Sequence, residues 1–581
     1  MTEPQTATED VQGGPVTRLT RPVAAIPLLV AFCALIYLPR LGSMPLWDPD
    51  EPRYAEVARE MLESGDFVTS RFDYVRYLKK PPLLFWVTAG SFALLGTSEF
   101  AARLPCAVAG IATVVVCYLL ARSMFGGLAG LLAGGALATS LLHFGMAVFV
   151  RFDGPLTLCI SLALLLFWLG QREADPRRAR RFFLAMYPVL ALAMLTKGPV
   201  GPGLVGLIIF VYLLVTRNLR LIARLQMPLG VLIFLAVAAP WFLLAERTNP
   251  GFSKFFFLWE NVTRYATSAQ GRQEPVWFFV LVLLGGMLPW TPLLPVAVAG
   301  AIRDRRVPGP GGGNAGVLCL VWASVVFVFF SAGSSKLIVY VLPAWPALAV
   351  LVGGGLARAG QEADASRRWR VAHLASLAVL LAGVVAGSTW VIIYARGEAA
   401  SPGEASRLTA MLVPPATIAV ASVLGLLLTR RTAGLVLMTA AMGGFIIPLA
   451  AVMGSVGAQR SLKPLALAAM AELGPGDTLV AYRSFKPQLC FYGKQRLIAV
   501  GRRAPTEFDF DRDGARRAGI WLPDYAAMVA MVRGEGRVVA YAERDDYEQL
   551  RSEYGALHEL GERGKFVLFS NRPSRRGARG R

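Results

Sequence analysis

Charge is scarce in this 581-residue chain. Only 17% of its residues are Asp, Glu, Lys or Arg, against 55% hydrophobic. That balance excludes an ordinary soluble protein, and the length excludes one compact core. Histidine is nearly absent: His143, His373 and His558 are the only three, none lies in a loop that carries the motifs below, and no spacing suggests a metal cluster. Of the six cysteines, Cys33, Cys106, Cys117, Cys159 and Cys319 fall within apolar runs and Cys490 stands alone near the end, so no disulfide framework is indicated. The glycine-rich "GPGGGN", Gly309 to Asn314, lacks the Lys-Ser/Thr ending of a nucleotide-binding loop and reads as a linker. No internal repeat is evident.

What the chain has is apolar length. Runs of roughly 17–25 apolar residues, enough to cross about 30 Å of hydrocarbon, recur from Pro22 almost to Val456. They predict a polytopic α-helical membrane protein of about 13 spans. The first run, Pro22 to Leu38, has no small-residue cleavage site after it and reads as an uncleaved anchor. Basic connections such as "QREADPRRARRFF", "TRNLRLIARLQ" and "RDRRVPGPGGGN" belong in the cytoplasm. The alternate connections, including the Asp50 loop, "VRFDGP", "TKGPVG", the long segment after Glu246 and "SAGSSKL", then fall outside. This works only if "PPLLFWVTAGSFALLG", Pro81 to Gly96, lies at the outer interface without crossing. The expected organisation is a cytoplasmic tail (1–21), a membrane domain (22–456) with its first outer loop at 39–103, a small α/β domain outside (457–570) and a disordered basic tail (571–581). The net charge of +21 is largely this topology signal, and no nucleic-acid partner is invoked.

Acid is concentrated where it is least expected. Asp50 and Glu51 are adjacent, bounded by Pro49 and Pro52, and followed by Arg53 and Tyr54, which can hold a carboxylate in place. Asp48, Glu56, Glu60 and Glu63 read as loop solvation. A second acid, Asp153 in "VRFDGP", stands at the outer end of another span. Two carboxylates from different outer loops can converge on one pocket, one taking a proton from an acceptor and one orienting a partner. Cations gather on the same side: Lys79 and Lys80, Lys197, Lys254, Arg264, Arg272 and Lys336. With paired acids they suit a site that neutralises a phosphate. Aromatics in "FSKFFFLWENVTRY" supply an apolar wall.

The motifs "DEPRYAE", "KKPPLLFW", "AARLP", "RFDGPL", "TKGPV", "NPGFSKFFFLWENVTRY" and "SSKLIVYVLPAWPALAVL" resemble, in order over most of the first 350 residues, the bacterial aminoarabinose transferases of lipid A. These belong to the GT-C membrane glycosyltransferases, with the protein O-mannosyltransferases. The resemblance implies transfer of a sugar from a polyprenyl-phosphate carrier to an envelope acceptor, a lipid A-like lipid, a glycan or a protein, at the outer face of a bacterial inner membrane, with inversion at the anomeric carbon. By motif, Asp50 takes the place of the family's first acid and Asp153 that of the second, with Glu51 beside them. Lys80 falls on the Lys of "KPP" and is expected to hold the donor phosphate, helped by Arg53, Lys336, Arg264 and Lys79. Tyr54, Lys197 and Trp259 are expected around the acceptor pocket.

Two positions depart from the family pattern. Members commonly carry Glu before the Lys of "KPP" and His before the "EN" of the long loop, a pair able to bind a metal. Here those positions are Lys79 and Trp259, so no metal is expected there and no cofactor is expected, while a divalent cation elsewhere stays open. The rival class is a transporter or flippase of lipid-linked sugars, which calls for a repeat and broken helices at the midplane. The concentration of ionisable residues in the outer loops favours chemistry at one face.

Overall fold

The apolar runs become helices because Leu, Ala and Phe carry them while polar residues cap their ends. The Ser98 hydroxyl accepts the Ala101 amide at 3.2 Å to start the helix Glu99–Phe125. Asp175 accepts the Arg177 amide at 2.9 Å to start Pro176–Lys197, where Pro176 at the first position needs no amide partner. The computed structural model describes residues 19–263, 274–304, 314–359 and 457–575 apart from 524, with a few isolated positions between 368 and 454.

Six helices are long and apolar enough to cross a membrane: Glu99–Phe125, Asp153–Arg172, Pro176–Lys197, Met227–Thr248, Asn314–Ala332 and Ile338–Arg358. Two bent pairs, Gly127–Thr139 with Leu141–Ala147 and Phe278–Gly286 with Thr291–Arg303, turn by 68° and 108° at short breaks and bring the number to eight at most among the described residues. Pro22–Tyr37 and Val200–Val215, both expected as spans, have 16 residues each and rise only roughly 24 Å. The expected spans between 360 and 456, most of the N-terminal tail and residues 576–581 lie outside the described residues. The helix Leu83–Leu95 within "PPLLFWVTAGSFALLG" has 13 residues, roughly 20 Å, and packs beside the helices Asp50–Ser64 and Glu99–Phe125. Close approach is bought with glycine: a Cβ on Gly353 would lie 2.5 Å from the Ala129 carbonyl of the helix it crosses.

The first loop holds the helix Asp50–Ser64 and a small hairpin, β1 (Arg71–Phe72) and β2 (Val75–Arg76). Its two turn residues, Asp73 and Tyr74, both have positive φ, as a two-residue hairpin turn requires. After residue 457 comes a six-stranded sheet in the order β5-β4-β3-β6-β8-β7, from β3 (Thr478–Tyr482), β4 (Leu497–Val500), β5 (Trp521–Leu522), β6 (Val538–Glu543), β7 (His558–Arg563) and β8 (Phe566–Ser570). The first four are parallel; β8 runs antiparallel to β6, and β7 antiparallel to β8.

This α/β domain is not an appendage. Leu46, Ala55, Phe72 and Phe85 of the first loop share one buried cluster with Leu465, Leu489, Phe491 and Tyr541 of the domain. Gln488 Nε2 donates to the Leu46 carbonyl at 2.8 Å, and the Tyr492 hydroxyl accepts the Leu46 amide at 2.8 Å. The first residues of the expected disordered tail are held in place: Ser574 Oγ lies 2.6 Å from Glu472 and Arg575 pairs with Asp477 at 2.9 Å.

Candidate active site

Seven chain segments meet at a cavity of about 480 Å³. The helix Asp50–Ser64 brings Asp50 and Arg53. The "KKPP" turn brings Lys79 and Lys80. Arg151 to Asp153 stand at the start of Asp153–Arg172, and Lys197 ends the neighbouring antiparallel helix, so the acid sits at a helix N-terminus and the cation at a C-terminus, as the helix dipoles favour. Trp259 and Glu260 come from a π-helical segment, Lys254–Thr263, a rare element frequently found at functional sites. Tyr340 comes from the 3₁₀ segment Ile338–Ala344. Six cations line the cavity against four carboxylates, so it carries a positive excess where a phosphate is expected.

The charges are mutually ordered. Asp50 accepts Arg53 Nη1 at 3.1 Å on one oxygen and Arg151 Nη2 at 2.7 Å on the other. Arg53 also reaches Glu507 at 2.6 Å. Asp153 pairs with Lys197 at 2.5 Å, and the same ammonium lies 4.8 Å from the Tyr340 ring centroid. The Tyr54 ring stands edge-on to Phe152 at 4.9 Å, which sets it into the wall beside Asp153.

A second cavity of about 620 Å³ adjoins the first and is apolar, lined by Val200, Leu204, Leu207, Leu258, Phe329 and Phe330 among others. Lys80, Lys197, Glu260 and Tyr340 line both. A largely apolar groove thus ends at two lysines.

Several expectations need correction. Glu51 does not line the cavity: it is buried, accepting Arg103 through both oxygens at 2.9 and 2.7 Å and the amides of Val150 and Trp47 at 2.8 and 2.9 Å. Lys336 also misses the cavity wall, its ammonium turned to the Gly333 carbonyl at 2.9 Å. Lys79 lines the cavity but is committed to Asp509 at 2.5 Å, so it adds little net charge. Glu56 and Glu60 do not solvate a loop; both are buried, Glu56 against Arg59 and Glu60 against the Tyr74 amide. Arg264 and Arg272 lie outside the described residues. Asp50, Arg53, Tyr54, Lys80, Asp153, Lys197 and Trp259 do line the cavity together.

The sequence reading missed Arg151, although "VRFDGP" contains it, and, although it expected the terminal α/β domain, it missed that domain's contribution to the site. Thr506, Asp509 and Arg512, from the loop after β4, form part of the wall. Nothing in "PTEFDFDRD" signals that placement, because it depends on docking across more than 400 residues of chain.

The sequence profile described as dolichyl-phosphate-mannose-protein mannosyltransferase matches residues 79–243. An undecaprenyl phosphate-aminoarabinose arabinosyl transferase of Erwinia tasmaniensis is 31% identical over 64% of this chain and 67% of its own length. The chain belongs to the aminoarabinose transferase family. A like-named transferase of Edwardsiella ictaluri is 30% identical over 62% of the chain, and the chain spans 64% of that relative's length. The crystal structure of the family member ArnT from Cupriavidus metallidurans, bound to undecaprenyl phosphate, superposes with a TM-score of 0.82 at 29% identity, covering 95% of this chain and 99% of that one. An apo oligosaccharyltransferase of Archaeoglobus fulgidus, at 13% identity and a TM-score of 0.50, shares the GT-C fold alone. At the two positions where the resemblance implied a pair able to bind a metal, this chain carries the Lys79 ammonium, ion-paired with Asp509, and the Trp259 indole. Neither ligates a metal, so that group does not fit there.

Proposed function

We propose that this chain transfers a sugar from a polyprenyl-phosphate carrier to an acceptor of the bacterial envelope, at the outer face of the inner membrane. The observation that carries this reading is the joint between the two cavities, where Lys80 and Lys197 stand between an apolar groove and a charged chamber. The groove suits a prenyl chain and the lysines suit its phosphate. The related ArnT binds undecaprenyl phosphate.

In the reaction, an acceptor oxygen forms the new bond to the anomeric carbon as the bond from that carbon to the carrier phosphate breaks, and its electron pair stays on the phosphate. Lys80 meets the growing negative charge. Removing one such contact typically lowers kcat about 10²–10³-fold. With a hydroxyl acceptor, Asp50 takes the proton; both its oxygens are held by guanidinium groups, which fixes their direction and leaves lone pairs for an approaching hydroxyl. With a phosphate acceptor, already ionised, Asp50 orients Arg151 and Arg53 toward it. Asp153 holds Lys197 at the cavity joint. Inversion is the expected stereochemistry. Lys79 tethers the wall to Asp509, and Tyr54 and Trp259 shape the acceptor side.

The test is mass spectrometry of envelope lipids, glycans and proteins from cells with and without the chain. Loss of one sugar from a defined acceptor, restored by wild type but by neither Asp50→Asn nor Lys80→Ala, is expected. Unchanged acceptors, with lipid-linked sugar accumulating on the cytoplasmic side, would overturn the transferase in favour of a flippase.

A further inference from the structure

The terminal domain carries a crevice of its own. It measures about 710 Å³ and lies at the carboxyl ends of the parallel strands, between the residues that follow β3, β4 and β5. In the order β5-β4-β3-β6-β8-β7 the chain leaves β3 toward β4 and later returns on the other side through β6, so the topological switch lies between β3 and β6. The helix Arg544–Tyr554 after β6 contributes Gln549 to the same crevice. Open α/β sheets bind ligands in this position because connections diverge there and leave backbone and side chains facing a gap.

The lining is cationic and aromatic. Arg483, Arg502 and Arg503 surround it, and among its described residues there is no carboxylate. Arg483 has φ of 59°, a backbone conformation that non-glycine residues adopt at a cost. Its side chain is held in place: Nη1 lies 2.7 Å from Asp546 and 3.1 Å from Gln549, and the guanidinium stands 5.1 and 5.8 Å from the ring centroids of Tyr482 and Tyr525. Arg502 and Arg503 are exposed on the rim. One preoriented guanidinium, with two more on the rim of a concave floor, suits the oxygens of a phosphate.

The crevice and the active-site cavity are joined by one loop. Residues 501–503 line the crevice, and Thr506, three residues on, lines the cavity. Three peptide units span at most about 11 Å, so the walls of the two cavities come within that distance at this loop. We propose that the crevice is a second anion site, taking a phosphate group of the acceptor while another part of that acceptor enters the cavity. Its binding half stands alone; its acceptor half rests on the transferase reading above.

The experiment is calorimetric titration of inorganic pyrophosphate into the full chain in a nonionic detergent. Wild type is expected to bind at two classes of site. Arg502→Gln with Arg503→Gln weakens one class about tenfold or more, Lys80→Ala weakens the other, and Arg502→Lys with Arg503→Lys keeps most of the first. Thermal unfolding of each variant excludes loss of fold as the cause. A double glutamine variant that titrates as wild type overturns the proposal. If that variant loses its class while Lys80→Ala changes nothing, the crevice stands and the donor-phosphate reading falls. The titration is repeated in nanodiscs of phosphatidylcholine and of phosphatidylglycerol. Equal binding at the arginine class supports an acceptor group; its loss in phosphatidylglycerol overturns the acceptor assignment in favour of a lipid headgroup.

Discussion

Glu51 and Arg103 form an ion pair whose removal should be unusually damaging. Arg103 is fully buried and, besides Glu51, donates to the carbonyls of Leu41, Met44 and Pro45 at 2.8, 2.6 and 2.9 Å. Glu51 in turn accepts the Trp47 and Val150 amides. Five backbone groups from two distant segments therefore depend on this pair. Buried ion pairs can often be replaced by apolar residues of similar size at little cost, because desolvation offsets their attraction. Here that replacement should fail. Glu51→Leu with Arg103→Met leaves three buried and two part-buried backbone groups unpaired, and at about 1–3 kcal/mol for each buried group the loss is about 3 kcal/mol or more. Glu51→Gln alone leaves the guanidinium uncompensated and should cost about 3–5 kcal/mol. The assay is thermal unfolding of purified protein in detergent, with limited proteolysis to report the fraction folded. A double variant as stable as wild type would refute the argument from backbone satisfaction. Retained specific activity in the surviving folded Glu51→Gln fraction is expected, since Glu51 does not line the cavity.

Three further outcomes are expected. In a double-mutant cycle on Lys79→Met and Asp509→Asn, the double variant should be more stable than the sum of the single losses by about 0.5–3 kcal/mol; additive losses would mean that the pair does not tether the domain. Burial pushes the Asp73 carboxyl well above its usual range, with Glu56 adding to the shift and the Leu497 amide opposing it, and its Oδ2 has no hydrogen-bond partner among the described residues. A folded value above the unfolded one means stability present at low pH and lost as pH rises from about 4 through the folded value. Asp73→Asn should therefore flatten that decline in a series of unfolding midpoints against pH, and an unchanged slope would count against it. Finally, Gly203 lines the apolar groove and a Cβ there meets nothing within 4 Å, so Gly203→Trp should raise the KM for long-chain donors far more than for short-chain analogues.

The sequence was most legible where chemistry and local pattern coincide. Asp50, Lys80, Asp153 and Lys197 stood out because each is an ionisable residue beside a proline or glycine at the end of an apolar run, and such residues are expensive in a membrane unless they serve a site. They do meet in one cavity. Glu51 carried the same signal as Asp50 and was misread, since adjacent positions in a helix differ by about 100° in direction and only one of them can face the cavity. Glu56 and Glu60 were misread for a related reason: the terminal domain covers the helix that carries them and turns a solvated face into an interior.

The alternation of long apolar runs with basic and acidic connections determined, without coordinates, that this chain is a helical membrane protein with its ionisable residues gathered at loop ends, because the bilayer forces backbone hydrogen bonds inside each segment and leaves polar residues to the boundaries. The β-rich periodicity after residue 457 likewise announced a separate kind of structure. Only the tertiary structure decided that this last domain packs into the first loop and lends Glu507, Asp509 and Arg512 to the site. Contacts of that kind join residues more than 400 positions apart and depend on shape and on which charges face one another after docking, and neither quantity is written in any local stretch of sequence.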